Sequence, residues 1–202
     1  MKKFMEMIYA QAKRPEDLLW HCISPSQLLF EVVERRAKPG KALDLGCGAG
    51  VYSVYMAKRG FEVTGVDFIS KALAMAQDQA RAEKVKINWV HADILDWKSS
   101  EQFDVILDSG TLHNISSKHL AQYKRQILQW LSPQADYILS HWGKRHVFDW
   151  RPIGPIRRTR QQLVSIFAPE LREKGYEREV GTKVPFPIGP KVLFQSFRFQ
   201  RA

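Results

Sequence analysis

The sequence predicts an α/β fold: a doubly wound sheet of seven strands, mostly parallel, with helices on both faces and a C-terminal antiparallel hairpin. Three observations carry this. Short apolar runs alternate with helical patterns from residue 41 to residue 140, and strands separated by helices return in parallel. The first run, Lys41-Ala42-Leu43-Asp44-Leu45, stops at Gly46-Cys47-Gly48-Ala49-Gly50, three glycines spaced two apart. After residue 140 the alternation weakens, and two strand-like runs joined by Pro187-Ile188-Gly189-Pro190 predict a hairpin and hence an antiparallel edge.

The elements follow in order. Residues 3–12 read as a short helix, broken at Lys13-Arg14-Pro15. Ser24-Pro25-Ser26-Gln27 has the form of a capping box, with Ser24 as N-cap and Pro25 at the first helical position. The helix it opens runs to Arg36 with Leu28, Leu29, Val32 and Val33 on one face, and Pro39-Gly40 ends it. Strand one reaches the glycine turn, a helix covers 51–59, and strand two is Glu62-Val63-Thr64-Gly65-Val66-Asp67. Ser70 is placed to cap an alanine-rich helix ending at Arg81. Strands three and four cover 87–92 and 103–108. A helix over 118–130 stops at Ser132-Pro133, and strand five covers 135–140. One more helix, 160–167, precedes strand-like runs over 176–186 and 191–200.

A chain of 202 residues is read as one domain with a substantial core, residues 1–23 forming an N-terminal cover and 143–159 a mobile lid loop. No apolar run is long enough to span a bilayer, and Glu6 interrupts the N-terminus before a signal-peptide core forms. With only Cys22 and Cys47, neither a disulfide framework nor a four-ligand zinc site is indicated, and a cytoplasmic location is expected. The net charge is +10, and residues 141–202 hold 13 basic against 5 acidic side chains. That field favours anionic partners, or else forms a solvated basic surface.

The glycine turn lets backbone approach a ligand closely and presents the N–H groups of the helix that follows. Asp67, at the tip of strand two, is placed to accept both hydroxyls of a ribose. The G-x-G-x-G run preceded by Asp44 resembles motif I of the class I S-adenosylmethionine-dependent methyltransferases. Four further segments resemble that family in order and spacing: Gly65-Val66-Asp67-Phe68, His91-Ala92-Asp93-Ile94, Phe103-Asp104-Val105-Ile106-Leu107-Asp108-Ser109-Gly110, and the C-terminal strand pair. The resemblance covers residues 24–202. It implies a Rossmann-like fold and S-adenosyl-L-methionine as cofactor, with S-adenosyl-L-homocysteine as product. It also implies roles: Gly46 and Gly48, with Gly50 completing the turn, against the methionine and ribose portion; Asp67 on the ribose; Phe68 on the adenine face. Asp93 and Ile94 would hold the adenine edge, Asp108 would face the methionine amine, and Asp44 would orient the turn. Read from the residues alone, a strand-ending aspartate is also a turn former, Asp96 competes with Asp93, and Phe68 is equally a core residue.

Methyl transfer needs the nucleophile aligned behind the methyl carbon, and alignment supplies much of the rate. A thiolate or neutral amine needs little else, whereas a hydroxyl or protonated amine needs a base. His113, in Ser109-Gly110-Thr111-Leu112-His113-Asn114, is the candidate catalytic residue, since it follows strand four and an unperturbed histidine titrates near neutral pH; a structural histidine is the alternative. Trp20, His21, Trp142, Trp150 and Arg151 are candidate acceptor contacts, aromatic with a few polar groups. His141 and His146 lack the carboxylate or cysteine partners of a metal site, so no metal is expected. The expectation is a methyltransferase for a small, anionic or aromatic acceptor, similar to the tellurite-resistance and thiopurine types. Absence of Asn-Pro-Pro-Tyr/Phe after strand four lowers amino-group methylation of bases and glutamine. Two alternatives stand: an RNA or other macromolecule enzyme docking through the basic final third, and a non-catalytic cofactor-binding subunit.

Overall fold

The computed structural model describes residues 2–18, 25–146, 149, 154–181 and 191–202. In chain order it contains α1 (Lys2–Gln11), α2 (Gln27–Arg35), β1 (Lys41–Leu45), α3 (Val51–Ala57), β2 (Glu62–Asp67), α4 (Ser70–Ala82) and β3 (Asn88–His91). There follow β4 (Phe103–Ser109), α5 (Leu120–Trp130), β5 (Leu131–Gly143), α6 (Arg160–Phe167), β6 (Leu171–Gly181) and β7 (Val192–Arg201). The strands form one sheet in the order β3-β2-β1-β4-β5-β7-β6. β1 to β5 pair in parallel, and β7 lies antiparallel between β5 and β6. The hairpin is therefore present, but the edge strand β6 runs in the same direction as β1–β5, and only β7 is reversed.

Side chains of the central strands alternate between two cores, as the two-residue period of a strand requires. Leu43, Leu45 and Ile106 face Tyr123, Ile127, Trp130 and Phe167 of α5 and α6. Ala42, Val105, Leu107 and Ile138 face Leu28, Leu29, Val32 and Val33 of α2 and Met56 of α3. A third, smaller cluster joins Tyr9, Ala12 and Leu18 to Ala49, Ile69, Ala72 and Met75, so α1 is clamped over the glycine turn and α4.

Several boundaries differ from the sequence reading. The N-cap of α2 is Ser26, whose Oγ accepts the Leu29 N–H at 3.2 Å; Gln27 is the first helical residue, so Ser24 and Pro25 precede the cap. Ser70 is likewise inside α4 and not its cap. The Ile69 N–H is taken by Asp67 Oδ1 at 2.8 Å, so the strand-tip carboxylate serves the turn instead. α5 begins at Leu120, after a 3-10 turn over Ser117–His119. β5 runs on to Gly143 because β7 pairs along it from Tyr137↔Phe199 to Gly143↔Leu193. β6 starts at Leu171, whose side chain enters the core while Arg172 and Lys174 project to solvent. The connection 187–190 lies outside the described residues.

The cap correction is testable. Ser26→Ala should cost about 1 kcal/mol in urea unfolding. An unchanged midpoint would place the cap elsewhere.

Candidate functional site

The carboxyl ends of β1, β2 and β4 meet at one edge of the sheet, where an open α/β sheet binds its ligand. The turn after β1 holds Gly46, Gly48 and Gly50 at φ of 63°, 55° and 81°, the left-handed region that side chains resist. A Cβ on Gly46 would stand 2.2 Å from Thr111 Oγ1, and one on Gly48 would stand 2.7 Å from the Tyr9 hydroxyl. Turn and neighbours are thus in direct contact. Thr111 donates to the Leu45 carbonyl at 2.7 Å, and the Cys47 N–H to the Val66 carbonyl at 3.0 Å. The Gly48 N–H donates to Asp67 Oδ2 at 2.9 Å.

Three carboxylates are buried at these strand tips. Burial pushes Asp44 up to about 7, with Asp67 and Asp108 adding to the rise and the Ser53 hydroxyl, 2.6 Å away, opposing it. Burial raises Asp67 as well, against the N–H donors of Ile69 and Gly48. Burial raises Asp108 to about 6, although Tyr123 donates to it and the N–H groups of Thr111 and Leu112 lie 2.6 and 2.9 Å away. Tyr123 in turn contacts the Tyr137 hydroxyl at 2.9 Å. This edge of the sheet is therefore short of positive charge and suits a cationic ligand group.

Next to it the field reverses. The 3-10 turn Leu112–Asn114 carries His113, whose ring lies edge-on to His141 (5.6 Å) and Trp142 (5.8 Å). Arg158 is buried beneath, donating to His141 at 2.9 Å and to the carbonyls of Leu112 and Ile115 at 3.4 and 3.2 Å. A guanidinium can only donate, so His141 Nε2 accepts and Nδ1 carries the proton, bonded to the Trp142 carbonyl at 2.7 Å. Burial lowers His141 to about 3, and the Arg158 charge adds to this. Burial, then His141 and Arg158, also hold His113 well below the usual histidine range. Its Nδ1 is buried without a hydrogen-bond partner among the described residues.

The cofactor residues expected from the sequence are distributed as follows. Asp44, Gly46, Gly48, Gly50, Asp67 and Asp108 lie together at the tips of β1, β2 and β4. Phe68 is half-buried against the cluster around Tyr9 and Met75. Asp93 Oδ1 accepts the Leu95 N–H at 3.0 Å, and Ile94 is buried with its carbonyl bonded to Gln126. Of the expected acceptor contacts, Trp142 lies beside His113. Trp20, His21, Trp150 and Arg151 lie outside the described residues.

The expected lid is anchored at its described parts. Asp149 pairs with Arg145 and Arg157, the His113 carbonyl accepts the Ile156 N–H, and Gln195 holds the Arg158 carbonyl. Sequence reasoning missed Tyr9, Ser53, Thr111 and Arg158. Arg158 is marked in the sequence only by its place in the basic final third. A surface hollow of about 480 Å³ between Trp97, Gln126 and Trp130 lies on the flank of α5, away from these groups, and its open shape makes it a poorer site.

The fold is a doubly wound α/β domain whose buried carboxylates and glycine turn meet at the strand tips. Residues 42–134 match the family described as "Methyltransferase domain". That match takes in the glycine turn and the tips of β1, β2 and β4, somewhat less than half of the chain. The chain is 26% identical over 125 residues to a ubiquinone biosynthesis O-methyltransferase from Rickettsia canadensis, covering 59% of this chain and 52% of that protein. The chain spans about half the length of the curated relatives it matches. Its fold is similar to TehB from Haemophilus influenzae (TM-score 0.77, 16% identity, 91% of this chain and 64% of that one). It is also similar to a 1,6-didemethyltoxoflavin-N1-methyltransferase from Burkholderia thailandensis, solved with 1,6-didemethyltoxoflavin and S-adenosylhomocysteine (TM-score 0.72, 19% identity, 98% and 86%).

Asp44 offers a measurable consequence. Between pH 4 and 7 the unfolded chain has lost a proton that folded Asp44 retains, so stability falls as pH rises through that window and then levels. Asp44→Asn cannot ionise. It should gain on the unsubstituted protein by about 1–4 kcal/mol between pH 4 and pH 8 in urea unfolding. A pH-independent difference would mean that Asp44 ionises normally.

Proposed function

We propose that this chain transfers the methyl group of S-adenosyl-L-methionine to a small-molecule acceptor by in-line displacement. The observation that carries this reading is the Asp67 carboxylate at the tip of β2. Its oxygens accept the backbone N–H groups of Ile69 and Gly48, and the Phe68 N–H adds to them. A carboxylate has about four acceptor sites, so it retains capacity for a ribose hydroxyl. The glycine turn suits the same ligand, because Gly46, Gly48 and Gly50 add no side chains of their own to it. Bound there, the cofactor supplies a methyl group on a cationic sulfur. Asp44, Asp67 and Asp108 favour that positive charge, and Phe68, Asp93 and Ile94 would receive the adenine. His113 and Trp142 would face the acceptor, His113 as a neutral imidazole at physiological pH.

The relatives support this reading, being named as O- and N-methyltransferases of small molecules. Part of the basic charge of the final third is fixed in ion pairs. Arg145 and Arg157 pair with Asp149, Arg160 with Glu173, and Arg198 with Asp136. Four of the 13 basic side chains of the final third are therefore held by carboxylates. No described helix is long and apolar enough to cross a membrane, and the scarcity of cysteines suits a reducing compartment such as the cytoplasm.

Calorimetric titration with S-adenosylmethionine and S-adenosylhomocysteine should give saturable one-to-one binding of both. Asp67→Ala should weaken each by about 10- to 100-fold, since hydrogen bonds to a charged group are lost. Failure of either compound to bind would sink the reading, and unchanged affinity in the variant would overturn the placement of the ribose. His113→Ala should leave cofactor affinity intact while lowering turnover; an unchanged rate would remove His113 from the acceptor site.

A further inference from the structure

Arg158 and Arg157 are adjacent, both are buried, and they are treated differently by the fold. Arg157 has a counter-ion, Asp149, at 3.0 Å. Arg158 has none among the described residues: its partners are two backbone carbonyls and the neutral His141 ring. A buried charge without an opposite charge is costly, and proteins keep one where something else supplies the counter-charge. Arg158 is also rigidly placed. Its N–H donates to the Trp142 carbonyl, and its own carbonyl accepts from Lys144 and Gln195. His113, on the turn whose carbonyls Arg158 holds, is more than nine-tenths buried, and its Nδ1 has no partner among the described residues. An unsatisfied ring nitrogen and an uncompensated guanidinium thus flank the same turn after β4, next to the Trp142 ring.

We infer that the acceptor reacts as an anion, a phenolate-, thiolate- or carboxylate-type nucleophile, in the field of Arg158 and against the His113–Trp142 face, and that amines are disfavoured. This rests on the methyltransferase reading and specifies its acceptor. The titratable, charged and aromatic groups packed around that turn are His113 and Asp108 from β4 and its turn, His141 and Trp142 from β5, and Arg157 and Arg158 from the segment after it. The acceptor loses its proton to solvent before the transfer. Its electron pair then forms the bond to the methyl carbon, the carbon–sulfur bond breaks, and that pair stays on sulfur. A cation and an anion become two neutral groups, so no base must hold a proton during the step. An amine would instead gain positive charge beside Arg158. Arg158 is a positioning residue: it fixes the His113 turn and the His141 tautomer and biases the charge of what binds.

The test uses the full chain saturated with S-adenosylhomocysteine. The probes are 4-nitrophenol, 4-nitrothiophenol and 4-nitrobenzoate, set against 4-nitroaniline. The absorbance of bound 4-nitrophenol reports its ionisation directly. The expected result is an apparent pKa lowered by at least about one unit on binding, a tenfold preference for the anion, with 4-nitroaniline bound at least about tenfold more weakly. Arg158→Gln should abolish the preference while S-adenosylhomocysteine affinity stays unchanged, and Arg158→Lys should restore part of it. If Arg158→Gln fails to fold, the anion-to-aniline comparison on the unsubstituted protein still decides. Neutral 4-nitrophenol binding as well as its anion, 4-nitroaniline binding as well as the anions, or no anion binding at all would overturn the proposal and leave the methyltransferase reading standing. Failure of S-adenosylhomocysteine itself to bind would remove both.

Discussion

The bond from the Gly48 N–H to Asp67 at 2.9 Å is the constraint on which the site depends. It ties the turn leaving β1 to the tip of β2, and the same carboxylate accepts the first free N–H ahead of α4. One side chain therefore sets the entry of a helix, the path of the glycine turn and the position of two acceptor oxygens at the sheet edge. Thr111 adds the third strand by bonding the Leu45 carbonyl. Burying Asp67 is unfavourable by itself, and backbone donors offset part of that cost. The arrangement is stable because packed strands on both sides fix the donors in place.

Around that bond the molecule separates charge. The tips of β1, β2 and β4 collect carboxylates whose proton affinity is raised by burial and, at Asp44, also by the neighbouring carboxylates. The turn after β4 and the end of β5 collect two histidines held neutral and a buried guanidinium. In a medium poorer in water than bulk solvent such opposed fields are felt strongly. The two halves share β4: Asp108 at its tip anchors the N–H groups of Thr111 and Leu112, and the turn so formed presents His113.

The first five strands, the glycine turn and Asp67 were legible in the sequence because their signals are local. Apolar runs a few residues long, interrupted by helical patterns, have few alternative packings. The errors have one origin as well. Ser24 and Ser70 have the residue type of caps, but the backbone donors find partners in Ser26 and Asp67 instead. β5 and β6 extend past their apolar runs because β7 supplies pairing partners to both.

The sequence by itself determined the class of fold and the strand-tip half of the proposed site, since each of those features is written within a segment of ten residues or so. The tertiary structure alone decided the half around the turn after β4. Arg158 meets His141 across 17 residues and Leu112 across 46. Those contacts exist only once β5 runs on to Gly143 and β7 lies beside it. A side chain's charge is read from its letter; whether that charge is buried, paired or left for a ligand depends on which strands the sheet brings together.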